Sequence, residues 1–193
     1  MLWFVLVTLL ALAAPAGPSE SAEQARLTTP PESFTANAQF TGPSGAAATT
    51  LKIRVERYTP DAERDAVIGA LKQGGYPAFV LALRKAPVVG TITAGGQSFN
   101  IRWARAEAIK NGRSIVLVTE KPMFFVGGGA VDAKPREGYE VAVVSFRIDN
   151  VGMGYDGKLA AAARVKQSAT GGVEIDEYAD KLIDLKTITR DLK

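Results

Sequence analysis

The stretch QSFNIRWARAEAIKNGRSIVLVTE, residues 97–120, decides how this chain folds. Near its middle stands Asn111-Gly112, the strongest short signal for a β-hairpin, because a type I′ turn needs positive φ at both central residues. With Asn111 and Gly112 as the loop, Lys110 pairs with Arg113, Ala108 with Ile115, Ala106 with Leu117 and Ala104 with Thr119. One face then sets small residues against large ones, a pattern suited to close packing. The other face is mixed and reads as solvated or partly covered. The apolar phase also slips within the first arm. Phe99, Ile101 and Trp103 are odd-numbered, whereas Ala104, Ala106 and Ala108 are even, which predicts a bulge around residues 103–105. The alanine face leaves room for the helical segment described next.

Working outward, residues 33–40 alternate strictly, with Phe34, Ala36, Ala38 and Phe40 on one side, and read as a half-buried strand. Residues 41–49 are small and read as a loop. Residues 50–57 alternate again, with Leu51, Ile53 and Val55 inward. The period then changes to that of a helix. Thr59 is a candidate N-cap, Pro60 suits the first helical position, and Asp61 and Glu63 favour the helix start. Gly74-Gly75 ends this helix and Pro77 opens a second, so residues 60–86 form a helical hairpin. A strand follows at 88–93. Beyond residue 120, Pro122 ends the return strand's ladder or places it at an edge, 127–138 is a glycine-containing loop, and 139–148 is apolar enough for burial on both faces. Residues 149–157 read as a turn, and 158–166, 173–178 and 182–189 as strands. The fold class is α+β and mostly antiparallel β. About eight or nine strands form a partly closed barrel or a sandwich, with the helices over one end or face.

The 193 residues are 47% hydrophobic and 22% charged, the balance of an ordinary globular domain. Residues 1–16 read as a secretory signal peptide with an apolar run too short to span a bilayer, although no Lys or Arg precedes that run. Residues 17–32 read as a flexible lead-in and 33–193 as a single β-rich domain. The expected location is periplasmic or secreted, with no membrane span after cleavage. Net charge is +3, and the basic residues Lys52, Arg54, Arg102, Arg105, Arg147, Arg164 and Lys166 are scattered, unlike the concentrated basic face of a nucleic-acid binder.

Several segments together resemble a family of uncharacterised, exported bacterial proteins of similar length. They are Arg57-Tyr58-Thr59 before a helix ending Leu71-Lys72-Gln73-Gly74-Gly75, then Asn111-Gly112-Arg113 followed by Val118-Thr119-Glu120-Lys121-Pro122. Ile148-Asp149 with a glycine-rich turn, Ala161-Ala162-Ala163-Arg164-Val165-Lys166 and the closing Leu185-Lys186 complete the likeness. The resemblance implies export and a single domain, and it carries no functional residue.

The chain has no cysteine and no histidine, which excludes disulfides, thiolate metal sites, cysteine nucleophiles and Ser-His-Asp catalysis. No cofactor is expected. Glu174, Asp176, Glu177 and Asp180 could supply paired-carboxylate hydrolysis, but they follow the pattern of a solvated strand face. Asp149, Asn150 and Asp156 are spaced somewhat like a calcium loop, yet they lack its distal glutamate and also suit a β-turn. Gly127-Gly128-Gly129 with Lys134 and Arg136 lacks the ending of a phosphate-binding loop. Trp103, Met123, Phe124, Phe125 and Val126 form the candidate ligand or partner patch. The expected function is an exported, non-enzymatic binding or envelope-associated protein, taking a small apolar ligand or an envelope protein. A ligand-free structural or interaction module is the alternative, and a carboxylate hydrolase the minor one.

Overall fold

Alternation of inward apolar and outward polar residues builds nine strands among the residues that the computed structural model describes, 30–42, 45–123, 137–169, 172–178 and 182–191. They are β1 (Glu32–Gly42), β2 (Gly45–Val55), β3 (Gly90–Ala94), β4 (Gln97–Ile109), β5 (Gly112–Thr119), β6 (Val141–Asp149), β7 (Met153–Gln167), β8 (Val173–Tyr178) and β9 (Ile183–Asp191). Each of the first six pairs antiparallel with the next, β6 pairs with β7, β7 with β9, and β9 with β1. The circuit of eight strands therefore closes into a barrel, where the sequence left a partial barrel or a sandwich open. Closure removes the open edges that would otherwise invite aggregation. β8 pairs with β7 outside the circuit.

A barrel of about eight strands is just wide enough for side chains to fill. Phe34 on β1 and Phe146 on β6 meet across the lumen edge to face, their centroids 5.2 Å apart. Leu51, Ile53, Ile92, Phe99, Ile115 and Leu117 fill the space around them. The predicted phase slip is present. The β4–β5 register shifts between Ile101 and Trp103, so Ile101 and Ala104 face the lumen while Trp103 faces outward.

The outer wall at Trp103, Val118, Val143, Ala160 and Ala163 is covered by α1 (Asp61–Lys85) through Val67, Ile68, Leu71, Phe79, Val80 and Leu83. β6 is accordingly buried on both faces from Val141 to Val144, whereas Arg147 further along is exposed, so the expected two-sided burial holds for its first half. Gly75, at φ 65° and ψ −160°, divides α1 into two helical segments, with Pro77 near the start of the second. α1 is long and apolar enough to cross a membrane, but its buried side chains pack on the barrel. Tyr76 pins it there, its hydroxyl donating to the Ala163 carbonyl and accepting from the Glu140 N–H, both at 2.9 Å.

The structure corrects several sequence readings. The hairpin loop is Lys110-Asn111, because Ile109 pairs with Gly112, Ala108 with Arg113 and Ala106 with Ile115. The pairing is offset by two residues from the expected one, so the side chains keep their faces. The cause lies on the next strand. A Cβ on Gly112 would stand 2.0 Å from the Ile148 carbonyl oxygen, so this glycine serves the close approach of β6 and pairs with Asp149. Residues 41–49 are strand, with Thr41 paired to Ala46 and Ala38 to Thr49. Small residues there hid an extended hairpin. β7 likewise begins at Met153, inside the expected turn. Thr59 does not cap α1. Pro60 holds the N-cap position without a side-chain bond, while Thr59 Oγ1 accepts from the Ala104 N–H at 3.0 Å and its N–H donates to the Ala104 carbonyl at 2.8 Å. Ala104 faces the lumen, so the alanine face receives no helix.

Candidate functional site at the barrel mouth

Antiparallel pairing brings one set of chain ends together. The start of β1, the end of β2, the β4–β5 and β6–β7 turns and the end of β9 share one mouth of the barrel, as the pairs Glu32–Val55, Gly112–Asp149 and Phe34–Arg190 require. Glu32, the last residue of the expected lead-in, is instead the first residue of β1 and is buried. It continues the inward series Phe34, Ala36 and Ala38. Arg113 continues the series Ile115 and Leu117 in the same way, and Arg190 follows Ile188.

These three residues form an ionised plug with Tyr58. Arg113 donates Nη2 to Glu32 Oε1 at 2.6 Å and Nη1 to Glu32 Oε2 at 2.8 Å. Arg190 Nη2 lies 3.0 Å from Glu32 Oε1. The Tyr58 hydroxyl donates to Glu32 Oε2 at 2.7 Å and accepts from Arg113 Nη1 at 3.1 Å. The Glu32 carboxylate thus meets two guanidiniums and a phenol, which offsets the cost of burying its charge. Burial pushes the Tyr58 phenol well above its ordinary range, with attraction from Arg113 opposing and Glu32 adding to the rise. Burial works against the Arg113 charge, but hydrogen bonding to Glu32 and attraction from Tyr58 and Glu32 leave its pKa raised. The Arg113 guanidinium also lies 5.9 Å from the Phe34 ring centre, where the plug meets the apolar lumen.

Above the plug opens a cavity of about 190 Å³ whose lining includes Tyr58, Arg105, Ala108, Arg113, Asn150 and Arg190. Ala106 and Ile148 add apolar wall, and Asp149 is its acidic residue. Arg105 is held by the Thr59 carbonyl at 3.1 Å and Asp61 Oδ1 at 3.0 Å. This arrangement presents cationic, planar donors beside apolar wall, which is suited to holding a small anion or polar group.

Of the residues singled out from sequence, Asp149 and Asn150 line this cavity and the other described ones lie elsewhere. Trp103 is buried under α1 and Met123 is buried in the lumen cluster. The Met123 N–H donates to the Ala161 carbonyl at 2.7 Å, near the opposite end from the mouth. Phe124, Phe125 and Val126 fall outside the described residues, as do Gly127, Gly128, Gly129, Lys134, Arg136 and Asp180. Asp149 Oδ1 accepts the N–H groups of Val151 at 3.0 Å and Met153 at 2.8 Å, the work of a turn-forming aspartate. Asp156 pairs with Arg147 at 2.9 Å, and Asn150 stands on the cavity rim. Among the described residues no three acidic side chains converge on a metal position. Asp176 and Glu177 pair with Arg164, and Glu174 with Lys166, on the outer surface.

Sequence reasoning missed Glu32, Tyr58, Arg113 and Arg190. A signal existed for three of them, since each charge sits at the end of an inward-facing apolar series. Fold and site together define a closed eight-stranded antiparallel barrel with a helix on its wall and an ionised plug at one mouth. No protein-family model, curated protein sequence or solved structure matches this chain.

Proposed function

We propose that the protein is an exported, non-enzymatic binding protein whose ligand site is the barrel mouth. One observation carries this reading. A barrel packed with side chains along its lumen leaves, at one end, a cavity lined by three arginines and a tyrosine. Clefts that combine apolar wall with a few convergent polar groups are the usual form of small-molecule sites. The packed lumen supports an occupant at the mouth better than an apolar ligand deep inside. Export rests on the leader-like N-terminal sequence, and mass spectrometry of the mature N-terminus checks it.

Native mass spectrometry of protein purified from its own host tests the binding reading. The expected result is a small-molecule adduct that Ala108→Trp removes by filling the cavity. The same adduct on both proteins overturns it, as does the absence of any adduct together with no binding of added small molecules at the mouth. A second reading, docking to an envelope protein, is favoured by the exposed Val151, Met153 and Tyr155 on the β6–β7 hairpin at the same end. Pull-down from envelope extract with and without a Val151→Ser/Met153→Ser change separates the two.

A further inference from the structure

We infer that the mouth takes a small monoanion, a planar carboxylate attached to an apolar body about the size of one ring. This rests on the reading of the mouth as a binding site. The charge balance is the first argument. Glu32 is shared between the buried Arg113 and the part-exposed Arg190, so the plug holds two positive charges against one negative. Arg105 adds a third guanidinium to the lining, and its partner Asp61 is largely exposed and also engaged by Arg64. The acidic lining residue, Asp149, directs Oδ1 to the N–H groups of its own turn. An anion at the mouth would therefore meet the guanidiniums of Arg113 and Arg190, which share the single carboxylate of Glu32.

Shape is the second argument. Guanidinium groups match a carboxylate through paired, coplanar donors, and such contacts strengthen where water is partly excluded. Beside Arg113, as its partners on the two flanking strands, stand Ala108 and Ile148, and with Ala106 they offer apolar contact and no charge. A cavity of about 150 Å³ is enough to hold a benzene ring. The mouth, at about 190 Å³, has room for a ring and its carboxylate. It falls short of the roughly 300–1,000 Å³ of sites for larger ligands.

Benzoate, benzamide, benzylamine and inorganic phosphate are the probes, added to the full-length protein and read by amide chemical shifts at Ala106, Ala108, Gly112 and Asn150. The expected result is saturable movement with benzoate, and at least tenfold weaker binding of the other three. Arg190→Gln is expected to weaken benzoate at least tenfold. Ala108→Trp, at an exposed position, abolishes binding while leaving the fold intact. Arg54→Gln, on the outer face of β2, leaves it unchanged. Benzamide binding as tightly as benzoate overturns the charge requirement, and phosphate doing so overturns the apolar body. In both cases the mouth remains a binding site. If no probe moves these amides while the host-purified protein still carries an adduct that Ala108→Trp removes, the ligand class is wrong and the site stands. If neither probe nor adduct is seen, both fall.

Discussion

Arg113 on β5 and Glu32 on β1 meet as a two-bond fork, Nη2 to Oε1 at 2.6 Å and Nη1 to Oε2 at 2.8 Å, although 81 residues separate them. Their strands are not neighbours in the sheet. The pair therefore spans the lumen and ties one side of the barrel to the other at the mouth. Its side chains are 8% and 0% exposed, so neither charge has water to fall back on.

That isolation sets the first prediction. Glu32→Ala leaves the Arg113 charge buried without its partner, at a cost of about 3–5 kcal/mol. Replacing both, as Glu32→Met with Arg113→Leu, recovers most of that loss because no buried charge is stranded, the charge left on Arg190 being part-exposed to water. Urea denaturation of the two variants and the parent checks both halves. Equal losses in the single and double variants would show that the pair's geometry, and not the stranded charge, sets the cost.

Tyr58 gives a pH dependence whose sign is fixed. Burial raises its phenol pKa in the folded protein, as it does for Tyr76. The folded chain then keeps protons that the unfolded chain loses above about pH 10. The stabilisation is fully present below that pH and declines as pH rises beyond it. The Tyr58→Phe/Tyr76→Phe double variant should lose stability less steeply from about pH 10 upward. Tyr58→Phe alone should cost about 1.5–3 kcal/mol at pH 7, because the lost hydrogen bond ends on a carboxylate. Denaturation midpoints across the alkaline range measure both effects.

Local sequence pattern carries much of the barrel. The slip from Ile101 to Ala104 announced the bulge, Gly74-Gly75 and Pro77 announced the division of α1, and the run through Val143 announced burial on both faces. The hairpin loop failed because it was read from one pair of strands. Gly112 answers to β6, where the Ile148 carbonyl excludes a side chain, and nothing local records that contact. At the mouth, local pattern marks Glu32, Arg113 and Arg190 as charges that end inward apolar series but does not record their pairing. Glu32, Arg113 and Arg190 are ordinary surface residues by composition, and closure alone makes them partners.

Gly112 separates those two demands by experiment. Gly112→Ala places a Cβ 2.0 Å from the Ile148 carbonyl oxygen and 2.8 Å from Asp149 Cα. Both obstacles are backbone, so relief requires β5 and β6 to part. The expected cost is at or above the about 1–3 kcal/mol typical of overpacking. Gly69→Ala in α1 meets nothing within 4 Å and should instead stabilise by about 0.5–1 kcal/mol. Thermal denaturation of both variants reads the contrast. A harmless Gly112→Ala would show that the turn, and not the approach of β6, selects glycine there.

Trp103 is the last test, because the bulge turns it out of the lumen to meet α1. It is buried among Phe79, Val80, Leu83, Val118 and Val143. Trp103→Ala should cost about 3–5 kcal/mol, the range for a large aromatic lost from a packed core. The loss should be unevenly spread. The lumen cluster does not include Trp103, so β1 and β2 amides should keep their exchange protection while α1 amides lose theirs first. Hydrogen exchange with fragment resolution makes the comparison. Uniform loss across α1 and β1 would mean that helix and barrel unfold as one unit, and that the wall contact is part of the barrel's own stability.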